Sequence, residues 1–268
     1  MKNIFFALLA LFATFSSTSL LAADKGFPGR AEYPEIPLYQ KADLLRDFNK
    51  VVIVDARSPL EFKTIHIKGA VNIPIASRKF PEMAKALRKK TKKPIVFYCN
   101  GRTCYKSYKA VKAALKAGLK NVYSYDAGMF EWAKTYPKYA VLLGQNPMNP
   151  KNIIPKSQLK RHFLSISQFN ETARTLPRNT RMVLDVRDMH QRAGIGLFIG
   201  IEKWVSMNDE KKLFRYLDKA KAENKTLYIY DETGKQVRWL QYTLEQRNIK
   251  NYFFMTKGAR GFHKKFIM

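Results

Sequence analysis

The chain has 268 residues, of which 49 are Lys or Arg and 21 are Asp or Glu, so its formal net charge is +28. This length suits two domains of ordinary size, and an apolar fraction of 46% excludes a disordered chain that cannot bury a core. Two cysteines are too few for a disulfide framework, and with four scattered histidines they argue against a structural zinc site. We therefore expect no metal and no cofactor.

The N-terminal residues have the composition of a secretory signal peptide. Lys2 gives a positive start, an apolar run follows over 4–15, and small residues precede Asp24 at a cleavage region. An uncleaved membrane anchor is the competing interpretation, but the apolar run is short for a membrane span. We expect residues 1–23 to be removed and the mature protein to be periplasmic or secreted.

The positive charge bears on the partners of the protein. Basic chains are typical of nucleic-acid binders, but an exported protein meets little nucleic acid, so no nucleic-acid partner is expected. The charge is also suited to attract small anionic substrates, or to hold the protein peripherally on an anionic membrane surface. A basic surface without any specific partner is a third interpretation. The sequence carries no prediction of the oligomeric state.

Helices and strands alternate along the first half of the chain. Helices are predicted over 41–48, 80–89, 106–117 and after Gly128, and strands over 51–54, 94–98 and 122–125. The segment 144–155, GQNPMNPKNIIP, has the composition of a linker. In the second half, Ser167 is predicted to cap a helix that runs to Leu176, further helices are predicted over 213–222 and 237–246, and strands over 182–184, 226–230 and 252–255.

The two halves repeat one order of elements. The separation between Asp55 and Asp185 is 130 positions, as is that between Gly128 and Gly258. Alternating strands and helices predict an α/β fold, with a parallel sheet flanked by helices in each half. We divide the chain into a signal peptide (1–23), a catalytic domain (24–143), the linker (144–155) and a second domain (156–268).

Cys99 ends a predicted strand, where ligands bind in parallel sheets. The loop that follows, residues 99–107, is CNGRTCYKS. Unpaired N–H groups at the start of the next helix favour an anion and lower the pKa of a nearby thiol. We predict that Cys99 is the nucleophile, against the alternatives of a buried structural residue or a disulfide with Cys104. The residues predicted to form the substrate-binding loop are Asn100, Gly101, Arg102, Thr103, Cys104 and Lys106.

Cys104 has three competing interpretations. It is a resolving thiol, a redox partner of Cys99, or a passive residue at the start of the helix. Positive charge in the loop is expected from Arg102 and Lys106, and Gly101 permits the chain to turn.

Three stretches together resemble the rhodanese family over nearly all of the expected mature chain. Residues 52–74, VIVDARSPLEFKTIHIKGAVNIP, resemble its first signature, and residues 95–101, IVFYCNG, resemble its active-site strand and loop. Residues 127–132 resemble its closing signature, with Ala127 in place of the first glycine. The resemblance implies that Cys99 takes a sulfur atom from a small anionic donor such as thiosulfate, holds it as a persulfide, and passes it to a thiol or cyanide. Asp55 and Arg57 match the Asp-x-Arg of the family, and we interpret them as a structural ion pair under the loop.

The sequence also departs from the family pattern. The second half keeps Asp185 and Arg187 but has Asp231 where the cysteine belongs. Because a carboxylate cannot carry a persulfide, this half is predicted to be a degenerate, inactive rhodanese-like domain. Cys99 lies 29 positions before Gly128, whereas Asp231 lies 27 positions before Gly258, so the first loop is longer and its anion pocket wider.

Three other functions compete with sulfur transfer. A thiol–disulfide redox protein would use Cys99 and Cys104, although their spacing is not Cys-x-x-Cys. A binding scaffold would use neither cysteine. A cysteine phosphatase of related fold would need an arginine six positions after Cys99, where Tyr105 stands.

Overall fold

A computed structural model describes residues 26–192 and 196–267. The expected signal peptide lies outside these residues. In the first half (residues 26–143) the elements are, in chain order, α1 (Pro28–Glu32), α2 (Lys41–Arg46), β1 (Val52–Asp55), α3 (Pro59–Thr64), β2 (Ile65–Ile67), β3 (Val71–Asn72), α4 (Phe80–Lys90), β4 (Ile95–Tyr98), α5 (Lys106–Lys116), β5 (Val122–Tyr125), α6 (Gly128–Thr135) and β6 (Ala140–Leu142).

A parallel four-stranded sheet organises the first half, with the strand order β3-β1-β4-β5. Strand β4, with the sequence IVFY, is buried at all four positions, as a strand covered by helices on both faces requires. Strands β2 and β6 form a separate antiparallel pair, which the sequence analysis does not predict. The chain crosses between parallel strands through α4 and α5.

The second half continues from residue 156. Its elements are α7 (Lys156–Arg161), β7 (Phe163–Leu164), α8 (Ile166–Thr175), β8 (Arg181–Asp185), α9 (Met189–Arg192), β9 (Glu202–Trp204), α10 (Glu210–Ala222), β10 (Thr226–Tyr230), α11 (Val237–Gln246), β11 (Tyr252–Met255) and α12 (Gly258–Phe266). The five-stranded parallel sheet has the order β7-β11-β10-β8-β9. Read from β9, its first four strands repeat the order of the first sheet, so the α/β prediction of two parallel sheets flanked by helices is confirmed.

Helix α8 begins two residues earlier than predicted. The expected cap, Ser167, lies within the helix, and Ser165 is the capping residue instead. The Ser165 hydroxyl accepts the backbone N–H of Gln168, and the Gln168 side chain accepts the N–H of Ser165. This reciprocal pair is a capping box, which satisfies two N–H groups that the helix leaves unpaired.

Two of the buried apolar clusters contain residues from both halves. Trp239 and Tyr242 of α11 belong to the same apolar cluster as the strands of the first half, and Leu60 of α3 belongs to a cluster of the second half. The ring of Trp239 stacks on Phe130 at a centroid distance of 5.0 Å. Within 144–155, Met148 is buried in the first-half cluster, so the segment predicted as a linker also packs. In the described parts of the chain, no helix has the length and apolarity that crossing a bilayer demands.

Candidate active site

Cys99 lies at the carboxyl end of β4 and is fully buried. Its Sγ atom is 3.0 Å from the carbonyl oxygen of Cys104, to which the thiol donates, and 3.7 Å from the hydroxyl oxygen of Ser107. Burial raises the pKa of the Cys99 thiol well above its ordinary value, and the neighbouring Cys104 sulfur raises it further. The Cys99 thiol is therefore shielded from solvent and harder to deprotonate than an ordinary cysteine.

Cys104 is partly exposed and lies in the same loop. Interaction with the Cys99 thiol, the charge of Lys106 and the nearby backbone amides of Lys106 and Asn100 lower the pKa of Cys104 to about 6, although burial opposes them. Both cysteines are free thiols.

The backbone of Gly128 packs closely against the Cys99 loop. It has a φ of +72°, and a Cβ atom there would lie 2.4 Å from the backbone nitrogen of Gly101. The next residue, Met129, donates its N–H to the Cys99 carbonyl at 2.9 Å. Ala127, which replaces the first glycine of the family signature, has a φ of −64°, and such a φ does not require glycine.

A buried hydrogen-bond network supports the loop. Arg57 forms an ion pair with Asp55 at 2.6 Å, and both side chains are fully buried. The same guanidinium donates to the Asn100 side-chain oxygen at 3.0 Å. The Asn100 amide in turn donates to Glu61 at 2.7 Å, and Lys106 lies 3.2 Å from the other oxygen of Glu61. The network joins the end of β1 to the start of α5 and orients Asn100 away from the interior of the loop.

Glu61 belongs to this network, although the sequence analysis did not include it among the site residues. Its side chain is 1% exposed and also caps α3 through Ser58. Burial would raise the pKa of Glu61, but the charges of Lys106 and Arg57 and the Asn100 hydrogen bond outweigh it and lower the pKa to about 2. The sequence signal for its position was the capping-box pattern Ser-x-x-Glu at 58–61.

Comparison with protein families agrees with this geometry. Residues 39–135 match the model of the rhodanese-like domain. The first half contains a rhodanese-like domain. The resemblance predicted over nearly all of the mature chain is thus confirmed for residues 39–135, which include β1, β4, Cys99 and Gly128.

Curated relatives of the rhodanese-like domain have diverse names. An HTH-type transcriptional regulator from Mycobacterium tuberculosis is 41% identical over 95 residues, which are 34% of this chain and 39% of the regulator. The uncharacterized protein YqhL of Bacillus subtilis is 32% identical over 85 residues, or 32% of this chain and 63% of YqhL. A tRNA uridine(34) hydroxylase from Photorhabdus laumondii is 29% identical over 97 residues, or 35% of this chain and 27% of the hydroxylase. The matched part of this chain thus spans between a quarter and two thirds of the length of these relatives.

Solved structures with partial similarity include sulfurtransferases. A thiosulfate sulfurtransferase from Pseudomonas aeruginosa has a TM-score of 0.36 and 18% identity, covering 88% of this chain and 46% of that chain. A human single-domain sulfurtransferase has a TM-score of 0.31 and 23% identity, covering 37% of this chain and 96% of that chain. These similarities are too distant to identify a substrate.

The predicted loop residues of the rhodanese-like domain do not all face its interior. Arg102 and Thr103 are exposed, and the Arg102 guanidinium pairs with Glu131 of α6 at 2.7 Å. The sequence analysis assigned positive charge in the loop to both Arg102 and Lys106. Of these two, Lys106 is the one that approaches the cysteines, because Glu131 draws the Arg102 side chain to the outer surface.

In the second half, the corresponding loop holds a carboxylate. Asp231 is fully buried and accepts backbone N–H groups from Thr233 at 3.0 Å, from Val237 at 3.1 Å, and from Gly234 and Gln236. These amides belong to the loop and to the start of α11, where the helix leaves N–H groups unpaired. This loop between strand and helix is therefore an anion cradle filled by its own side chain.

A cleft of about 640 Å³ lies between the halves, beside the Cys99 loop. Its walls are mainly apolar and come from both halves. The apolar lining includes Pro59, Pro74, Met83, Met189, Trp204 and Met207. Charged side chains of both signs, Arg78 and Asp188, line the same cleft, which has room for a small molecule.

Proposed function

We propose that the protein is a sulfurtransferase that carries a sulfane sulfur on Cys99 as a persulfide. The observation that carries this proposal is the position of Cys99 at the carboxyl end of β4, in the loop of a rhodanese-like domain. In the proposed reaction the Cys99 thiolate attacks the outer sulfur of a donor such as thiosulfate, and sulfite leaves with the electron pair of the broken S–S bond. A thiol or cyanide then accepts the sulfur.

The electrostatics of the loop support an anionic donor. The Asp231 loop of the same chain holds a carboxylate with four backbone N–H groups, so this kind of turn accommodates an anion. The Lys106 ammonium adds a positive charge beside the cysteines. Because Cys99 is fully buried, with its sulfur against the Cys104 carbonyl, the loop has to move for the donor to reach that sulfur.

We propose that the second half is a degenerate module without catalysis of its own. Asp231 stands at the strand end where Cys99 stands in the first half, and its carboxylate cannot carry a persulfide. The module instead contributes Trp204 and Met207 to the wall of the cleft and Trp239 to the shared core.

We also propose that the protein works outside the cytoplasm after removal of residues 1–23. Its partners there are a small anionic sulfur donor and a thiol acceptor, with no nucleic acid. The full chain has a net charge of +28, of which residues 1–23 carry only Lys2, and this charge supports attraction of an anionic donor and equally a peripheral contact with an anionic membrane. Sequencing the N-terminus of the exported protein tests the cleavage, and an intact Lys2 would contradict it.

Release of sulfite from thiosulfate tests the sulfur-transfer proposal. The wild-type chain, supplied with thiosulfate and cyanide, is expected to form thiocyanate and to release one sulfite for every sulfur atom that it takes up. Cys99→Ser is expected to form neither while keeping its melting temperature within a few degrees of the wild type. Full activity of Cys99→Ser would contradict the proposal, and so would a wild-type chain that transfers no sulfur from thiosulfate or from inorganic tetrasulfide.

A further inference from the structure

We propose that Cys104 is a second catalytic thiol, which attacks the persulfide on Cys99, releases hydrosulfide and leaves a Cys99–Cys104 disulfide. This inference rests on the proposed function, because it begins from the Cys99 persulfide. It makes the protein a donor of reduced sulfur whose turnover depends on an external dithiol.

The loop folds Cys104 back onto Cys99. The Cys104 N–H donates to the carbonyl of Gly101 at 2.8 Å, which closes a tight turn after the end of β4. This turn brings the Cys104 carbonyl oxygen to 3.0 Å from the Cys99 Sγ atom, so the two residues meet inside the folded loop. Both cysteines are free thiols, so the contact is one between reduced residues. A disulfide then requires only that the loop bring the two sulfurs to bonding distance.

The corresponding loop of the second half shows that this kind of turn accommodates an anion. There the Asp231 carboxylate receives the amides of the loop and of the start of α11. In the first half the loop between β4 and α5 is one residue longer and carries Cys104 as well as Cys99. Interaction with the Cys99 thiol and the charge of Lys106 lower the pKa of Cys104 to about 6. The loop thus favours a thiolate on Cys104, in the same turn as the sulfur that would carry the persulfide.

Different exposure of the two cysteines gives them different roles. Cys99 is fully buried, whereas Cys104 is partly exposed. An external dithiol therefore reaches the Cys104 sulfur of the disulfide first, and the buried Cys99 is the leaving group. Thiol–disulfide exchange depends on which sulfur the attacking thiolate can reach.

The reaction balances without a further oxidant. The Cys104 thiolate attacks the inner sulfur of Cys99–S–SH, the new S–S bond forms, and HS⁻ leaves with the electron pair of the broken bond. The sulfane sulfur gains two electrons, one from each cysteine. A dithiol, for which dithiothreitol is the probe, then returns two electrons and two protons and becomes a cyclic disulfide.

Single-turnover chemistry on the full chain tests the inference. Wild type, Cys104→Ser and Cys99→Ser are reduced, freed of small thiols without oxygen, and mixed with thiosulfate or, separately, with inorganic tetrasulfide. Intact mass, free thiols and hydrosulfide are measured. The wild type is expected to release one hydrosulfide per chain, lose two hydrogens in mass and lose both thiols. Cys104→Ser is expected to stop one step earlier, gain one sulfur atom and release no hydrosulfide. Cys99→Ser is expected to do neither, and dithiothreitol is expected to restart the wild type alone.

The outcomes separate this inference from the proposed function. If the wild type keeps an added sulfur atom and releases no hydrosulfide, Cys104 is not a resolving thiol, while sulfur transfer through Cys99 stands. If the wild type forms the disulfide without releasing hydrosulfide, the pair is a plain redox couple and the inference also fails. If neither donor adds sulfur to Cys104→Ser or yields hydrosulfide from the wild type, the proposed function itself is wrong.

Discussion

The carboxylate of Glu61 lies 3.2 Å from the ammonium group of Lys106, and these residues are 45 positions apart in the chain. The Glu61 side chain is 1% exposed, whereas that of Lys106 is 31% exposed. This pair ties helix α3, which carries Glu61, to the first residue of α5, beside the two cysteines. It also balances the buried charge of the network that holds Asn100.

We expect Glu61→Gln to destabilise the protein by about 2 kcal/mol, because it leaves Lys106 without its buried partner. The loss is not larger because water partly screens the charge of Lys106. Urea unfolding measures this change. Glu210→Gln is the matched control, since its partner Lys63 is 64% exposed. The control is expected to cost less than about 1 kcal/mol. Equal losses in the two variants would show that the Glu61 network does not stabilise the fold.

The pair also predicts a dependence on pH. The pKa of Glu61 is about 2 in the folded protein and about 4.5 ordinarily. The unfolded chain therefore binds the proton more readily, so the stabilisation is fully present above about pH 4.5 and is lost as pH falls towards 2. The stability difference between wild type and Glu61→Gln is expected to shrink over this range. A difference that stays constant from pH 6 to the acid limit of folding would contradict the prediction.

Cys104 is expected to react with iodoacetamide far faster than Cys99 in the folded, reduced protein. Its thiolate is present above about pH 6 and is protonated below, so its alkylation rate is expected to fall as pH drops through that value. Cys99 is buried with a raised pKa and is expected to react only after unfolding. Peptide mapping of the alkylated chain measures both rates. Lys106→Met is expected to move the Cys104 midpoint upwards, and preferential alkylation of Cys99 would contradict the assignment.

Gly128→Ala is expected to disrupt the loop. Alanine at a positive φ costs about 1–2 kcal/mol, and here its Cβ would also overlap the backbone of Gly101, which lies 2.4 Å away. Gly118→Ala is the matched control, because Gly118 has a φ of +86° with open space around it. This variant incurs only the cost of the positive φ, without the overlap. Thermal unfolding and thiocyanate formation measure the two effects. The prediction fails if both alanine variants behave alike.

Trp239→Ala is expected to cost about 3–5 kcal/mol, because it empties a fully buried site shared by the two halves. The substitution also removes the stack on Phe130 and a ring 5.3 Å from the Arg57 guanidinium. Phe266→Ala is the control, because Phe266 is 47% exposed. This variant is expected to lose less than about 1 kcal/mol of stability. Denaturant unfolding measures both. A small loss in Trp239→Ala would mean that the halves fold independently.

Local patterns in the sequence determined the layout of the fold. The buried strand IVFY before Cys99, the helix starting at Lys106 and the paired Asp-x-Arg motifs were all predicted at or near their observed positions. These features depend on hydrophobic periodicity and on residues within a few positions of one another, which a single sequence displays directly.

Tertiary structure alone decided which of these residues meet. Strand β2 pairs with β6 through Ile65 and Leu142, and Glu61 meets both Asn100 and Lys106, across separations that no local pattern reports. Arg102 turns to Glu131 although its sequence position suggested the loop interior. The physical reason is that a long charged side chain pairs with an opposite charge that only the folded chain brings near it. A buried carboxylate is stable only where residues from distant parts of the chain form ion pairs or hydrogen bonds with it.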